Sequence, residues 1–249
     1  MVSKSLRMLG VAGLAAGVAL ALAGTADAAP AHTSVVSNAR SHLVSHNKNS
    51  YQSTNWSGYV QTGTFTSATA TWNVPTVTTS STDKYGSDWV GIDGFNNSDL
   101  IQTGTEEDTV GGSAEYYAWW EILPASETVI TSLTVHAGDS ITGTITKGSS
   151  GKWTITLKDN TTGKSFSTSK SYSGPGTSVD YIQEAVDVNG SISVPPKLSK
   201  ASFSGLTANG ANPELTSSGE ILLVQSGTTY YTPSSVSGGN AFSVSYTGP

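Results

Sequence analysis

The chain of 249 residues contains no cysteine. No disulfide can staple the fold, and no thiolate can act as nucleophile or metal ligand, so stability rests on a hydrophobic core. Histidine is scarce. His32, His42 and His46 precede Tyr51, and only His136 lies beyond it. A Ser–His or Cys–His arrangement would have to be built on His136, which sits in "SLTVHAGDS", a strand running into a turn; a surface histidine is expected there. Basic residues are scarce as well. Of 12 Lys and Arg and 18 Asp and Glu, the residues before Tyr51 hold Lys4, Arg7, Arg40, Lys48 and Asp27, so residues 51–249 carry 8 basic and 17 acidic side chains, net −9. Such a surface argues against nucleic acid or an anionic membrane as partner. Asp93, Asp99, Asp139 and the run Glu106-Glu107-Asp108 match no calcium-loop spacing, so no metal site is expected. The run itself reads as a solvated turn. If this protein does chemistry, carboxylates and amides must carry it.

Three segments follow one another along the chain. Residues 1–28 read as a secretory signal: Lys4 and Arg7, then an Ala/Leu/Val/Gly stretch from Leu9 to Leu22, then Ala26-Asp27-Ala28 as a small-residue cleavage site. The protein is therefore expected outside the cell, with no membrane association once the signal is removed. Ala29 to about Ser50 is polar, lacks aromatics and acids, and reads as a short prosegment or a floppy tail. From Tyr51 to Pro249, Trp, Tyr, Val, Ile, Thr, Ser and Gly dominate, enough chain for one domain with a sizeable core. Thirteen or so short strands are legible, among them "NWSGYVQTG", "DWVGID", "DLIQTG", "SAEYYAWWEI", "GKWTITLKD" and "VDYIQEAVDV". Trp153, Ile155 and Leu157 fall on one strand face, and Thr154, Thr156 and Lys158 on the other. Turn residues mark the breaks and no helical stripe occurs. The fold class expected is all-β, an antiparallel two-sheet sandwich or a large barrel.

Three segments concentrate unusual residues: "DWVGIDG" with Trp89 and Asp93, "LIQTG" with Gln102, and "YIQEAVDVNG" with Glu184. On a strand, Ile182, Glu184 and Val186 share a face, so Glu184 points at an apolar or concave surface and needs a partner or a function. Gln102 is an amide in an apolar setting, and an amide bridging two strands would explain it as well as a site would. Trp89 reads equally as core packing, and Asp93 as a turn residue beside Gly94.

Together with "NWSGYV", "YYAWWE" and "LTVHAGDSI", these segments resemble, in order from Asn55 to Tyr246, the signature of the glutamic peptidases, or eqolisins. The resemblance implies a lectin-like (concanavalin A-like) β-sandwich and a secreted acid endopeptidase acting on proteins or peptides as a monomer. It implies a Gln–Glu catalytic pair at Gln102 and Glu184, and supporting or cleft roles for Trp89, Asp93, Glu106 and Glu121. Neither metal nor cofactor is implied, and pepstatin is not expected to inhibit. Against the family pattern, Asp180 and Tyr181 are conservative changes, Leu123 stands where fungal members have a cleft Tyr, Tyr117 replaces an Asp, and the fungal disulfides are missing. The mechanism expected is a Glu184 carboxylate, with pKa near 4, taking a proton from the attacking water while Gln102 donates to the oxyanion. Two other readings suit such a sandwich: a carbohydrate-binding module using its aromatics, and a glycoside hydrolase using Glu121 and Glu184.

Overall fold

The computed structural model describes residues 43–47 and 50–249. The signal reading of residues 1–28 and most of the 29–50 segment lie outside the described residues.

The described chain is built from twenty strands and one short 3-10 turn. In order they are β1 (Leu43–Asn47), β2 (Ser50–Ser53), β3 (Trp56–Thr62), β4 (Ser67–Asn73), β5 (Val77–Thr78), β6 (Gly86–Asp93) and β7 (Leu100–Val110). Then come β8 (Ser113–Ile122), β9 (Thr128–Val129), β10 (Ser140–Lys147), β11 (Lys152–Asp159), β12 (Ser165–Ser171), β13 (Ser178–Ala185) and β14 (Asp187–Val188). The last are β15 (Ser191–Ile192), β16 (Lys197–Leu198), β17 (Ala201–Ala208), β18 (Glu220–Gln225), β19 (Thr228–Pro233) and β20 (Phe242–Tyr246). One hydrogen-bonded path runs β12-β11-β10-β4-β17-β20-β19-β18-β3-β13-β6-β7-β8-β9. It turns back on itself, so that β4, β10 and β11 pack across β6 and β7 as two layers. The fold is thus the antiparallel sandwich the strand pattern implied. One pairing departs from it: β2 lies parallel to β18. On its other edge β2 pairs with β1, so residues 43–47 of the expected prosegment form a strand.

The core follows from period-two alternation. Ala68, Ala70 and Trp72 of β4, Ile141 and Ile145 of β10, and Trp153, Ile155 and Leu157 of β11 meet Val90 and Ile92 of β6, Ile101 of β7 and Tyr181 of β13. Burying each large side chain contributes roughly 1.5–3 kcal/mol, which lets the sandwich hold without disulfides. His136 is exposed near Asp139, as expected for a surface residue.

The acidic run is the clearest departure from the sequence reading. Glu106, Glu107 and Asp108 are buried in the middle of β7, not in a turn. β7 is eleven residues long; β8 pairs with Ile101–Val110 on one side, and on the other β6 pairs with Leu100–Glu106 and Lys84 bridges to Thr109. Its charges therefore alternate between the two faces of a covered strand, and no stretch of this strand is left to form a turn.

Candidate active site

The central strands β6, β7 and β13 are buried on both faces. One face supplies the core. The other carries a second apolar cluster of Trp56, Val60, Trp89, Leu100, Tyr117, Trp119, Ile182 and Ile221, against which Tyr51, Phe95, Leu123 and Val129 pack. Glu184, Gln102 and Glu121 stand among these residues, on the same side of the sheet.

Register fixes their arrangement. Across β3, β13, β6, β7 and β8, one row reads Trp56, Glu184, Ser87, Glu106, Tyr117. The next row on this face reads Ile182, Trp89, Gly104, Trp119. The third reads Asp180, Gly91, Gln102, Glu121. Glu184 and Gln102 are therefore two strands and four residues apart, about 16 Å between Cα atoms were the sheet flat. Long side chains and sheet curvature shorten the gap between their ends. Glu121, the partner of Gln102, lies near enough that its charge raises the Glu184 pKa.

Trp89 spans the interval. Its Nε1 donates to Glu184 Oε2 at 2.8 Å. The far edge of its ring lies over Gly91, where a Cβ would come within 2.8 Å of Trp89 Cζ3. Gly104 serves the same end: a Cβ there would stand 2.6 Å from Trp89 Cβ and 2.9 Å from Trp119 Cζ2. The glycines of "WVGID" and "QTG" thus let two indoles lie against the sheet. Trp56 meets Trp89 edge-on, with ring centroids 4.9 Å apart, a geometry worth about 0.5–1.5 kcal/mol beyond its area.

Glu184 is buried, and each oxygen is held by a neutral donor: Oε2 by Trp89, and Oε1 by Asn55 Nδ2 at 3.1 Å. Burial pushes its pKa well above the ordinary carboxylate range; the donors Trp89, Asn55 and Trp56 pull it back, and the Glu121 charge adds to the rise. The pKa near 4 expected from sequence does not take this desolvation into account. Trp56 Nε1 is buried beside the carboxylate and favours its ionised form without a hydrogen bond as well formed as those of Trp89 and Asn55.

Gln102 is fully buried, and its Nε2 donates to Glu121 Oε2 at 2.7 Å. Gln102 Oε1 and Glu121 Oε1 have no hydrogen-bond partner. Burial pushes the Glu121 carboxyl up to about 8, against the Gln102 hydrogen bond that favours its ionised form. In acid Glu121 is neutral, and the amide–carboxyl pair carries no charge.

The other expected residues separate. Glu106 is buried in the Glu184 row beyond Ser87; burial raises its pKa, helped by the charges of Asp108, Glu127 and Glu107. Asp93 sits at the end of β6. At φ 71° it accepts hydrogen bonds from Asn97, Tyr172, Gly176 and Thr177, tying the chain entering β13 to β6. Tyr117, at the position of a family Asp, donates to Glu127 at 3.1 Å. Leu123 packs against the apolar cluster of this face. Asn55 and Ser53 were not singled out from the sequence; the only signal was the place of Asn55 in "NWSGYV". No group of three or more His, Cys, Asp or Glu among the described residues is arranged to hold a metal ion.

Residues 54–246 match the Peptidase A4 family. The chain is similar to scytalidopepsin B of Scytalidium lignicola, 35% identical over 136 residues that make up 52% of this chain and 51% of the relative. It is 30% identical to aspergillopepsin-2 of Aspergillus niger over 138 residues, 47% of this chain and 49% of the relative. The chain thus spans about half the length of the curated relatives it matches. Among solved structures, scytalido-glutamic peptidase with a transition state analog inhibitor superposes with a TM-score of 0.67 at 28% identity, covering 78% of this chain and 98% of the other. Aspergilloglutamic peptidase from Aspergillus niger gives 0.55 at 25% identity, covering 66% and 99%.

Proposed function

This chain belongs to the peptidase A4 family, and from that premise we propose that it is a secreted acid endopeptidase with Glu184 as general base and acid and Gln102 as oxyanion donor. The observation that carries the reading is a buried carboxylate with both oxygens held by neutral donors, on the same face of the sheet as an uncharged amide that is itself held by a carboxyl.

In the first step the ionised Glu184 takes a proton from a water whose oxygen attacks the scissile carbonyl carbon. The carbonyl electron pair moves onto oxygen, and the second N–H of Gln102 Nε2, not used by Glu121, donates to it. In the second step Glu184 returns the proton to the amide nitrogen as the C–N bond breaks. The products are an acid and an amine, and the carboxylate is regenerated. An oxyanion donor of this kind contributes about 3–4 kcal/mol in the transition state. Because the base must be ionised, the acid limb of activity follows the Glu184 carboxyl, which burial raises and the donors around it lower. The 29–50 segment is read as a prosegment released in acid, since it carries Arg40, Lys48 and three histidines and no acidic residue, while residues 51–249 are net −9 in formal charge.

The glycoside hydrolase reading needs Glu121 ionised beside Glu184 or poised to donate into the cleft. Glu121 is instead neutral up to about pH 8 and engaged with Gln102. Incubation with denatured casein between pH 3 and 6, and in parallel with polysaccharides, tests the proposal. Peptide release that is lost in folded Glu184→Gln supports it. Sugar release without proteolysis, or full proteolysis by Glu184→Gln, overturns it.

A further inference from the structure

Ser53 is buried at the end of β2, and its hydroxyl sits where the chain turns into β3. Its Oγ accepts the backbone N–H of Asn55 at 3.3 Å and of Trp56 at 3.1 Å. A hydroxyl has two acceptor sites and one proton. With both acceptor sites used by the backbone, the proton goes to Asn55 Oδ1, at 2.8 Å. That fixes which end of the Asn55 amide is which: oxygen toward Ser53, nitrogen toward Glu184, whose Oε1 it reaches at 3.1 Å. A carboxylate can only accept, so the orientation set by Ser53 is the one that suits the ionised Glu184.

We propose that Asn55, oriented by Ser53, is a positioning residue that holds the Glu184 carboxylate in the attitude needed for proton transfer. This rests on the reading of Glu184 as the base. Two donors grip the carboxylate, Trp89 of β6 on one oxygen and Asn55, in the turn just before β3, on the other; β3 and β6 flank β13. Neither donor titrates. Among neighbouring titratable groups, Glu121 of β8 is the one that acts on Glu184, and it does so only where it is ionised, towards pH 8; Glu106 of β7 stands two strands away behind Ser87. Removing Asn55 leaves one oxygen of a buried carboxylate without its donor, which favours the proton-bound form. The pair is local in sequence, Ser-x-Asn-Trp, yet acts on a residue 129 positions away.

Three variants test this: Asn55→Ala, Ser53→Ala and Asn55→Asp. The pH profile of kcat is measured for each, with circular dichroism at the same pH values to establish folding. Asn55→Ala is expected to move the acid limb up by about one pH unit, which lowers kcat roughly tenfold below the limb, with little change in KM. Ser53→Ala is expected to move it in the same direction by less, because the amide loses its orientation but not its nitrogen. Asn55→Asp, nearly the same shape, is expected to shift it at least as far as Asn55→Ala. A second readout does not depend on catalysis. Trp89 is bonded to Glu184, so the part of the tryptophan fluorescence titration that disappears in Glu184→Gln reports that carboxyl, and its midpoint should rise in Asn55→Ala. If that midpoint and the acid limb both stay where they are in folded Asn55→Ala, the proposal fails while the peptidase reading stands. A shifted midpoint in a protein that cleaves no peptide keeps the contact and overturns the peptidase reading.

Discussion

Gln102 Nε2 donates to Glu121 Oε2 at 2.7 Å, and both residues are fully buried. The bond crosses directly opposed positions of β7 and β8, so backbone pairing holds the two side chains in line. Its effect is to point one N–H of the amide at the carboxyl, which leaves the other for the proposed oxyanion. Glu121→Leu should free the amide to rotate and cost about 1–1.5 kcal/mol, roughly a tenfold loss in kcat, with KM little changed. Glu121→Gln keeps an acceptor and should lose less. Loss as complete as in Glu184→Gln would mean that Glu121 itself moves the proton.

Gln102→Ala should lower kcat by roughly 10²–10³ with a smaller change in KM, because an oxyanion donor acts mainly in the transition state. Steady-state kinetics on one peptide substrate decide the matter. A loss confined to KM would make Gln102 a binding residue.

Pepstatin should not inhibit. It addresses paired aspartates, and no Asp-Thr-Gly or Asp-Ser-Gly occurs after Tyr51. The proposed centre has one carboxylate that reacts, with a neutral amide opposite. Tight stoichiometric inhibition would point to an Asp–Asp mechanism instead.

Stability should be highest in acid. Burial raises the folded pKa values of Asp88, Glu106, Glu107, Asp108 and Asp180 well above the carboxylate range. A group whose pKa is raised by folding holds its proton more tightly when folded. Its contribution is fully present below the unfolded value of about 4 and is lost as pH rises through the folded value. For Glu121 that loss runs up to about pH 8. Thermal unfolding followed by circular dichroism should show Tm falling steadily from pH 4 to pH 8. Glu107→Gln, which keeps the shape and removes the proton site, should match the parent at pH 3.5 and exceed it at pH 7. Equal Tm values at both pH values would show that these carboxyls do not control the fold.

The sequence by itself determined the class of the fold and much of the site. Strand alternation at Trp153, Ile155 and Leu157 places them in the core, because a pleated strand has only two faces and water covers one of them. The same alternation put Ile182 and Glu184 together on an apolar face, where they are. It could not read β6, β7 and β13 with the same ease, because both faces of these strands are covered and polarity no longer marks a side. That is why the run Glu106-Glu107-Asp108 looked solvated and is buried. Only the tertiary structure decided the company of Glu184. Asn55 and Trp56 reach it from the start of β3 and the turn before it, and Trp89 from β6, and the register of β13 between those strands selects these residues out of all the polar groups the chain contains. The pKa of the carboxyl was decided there too, since desolvation is a property of the whole fold, and no local stretch of sequence carries it.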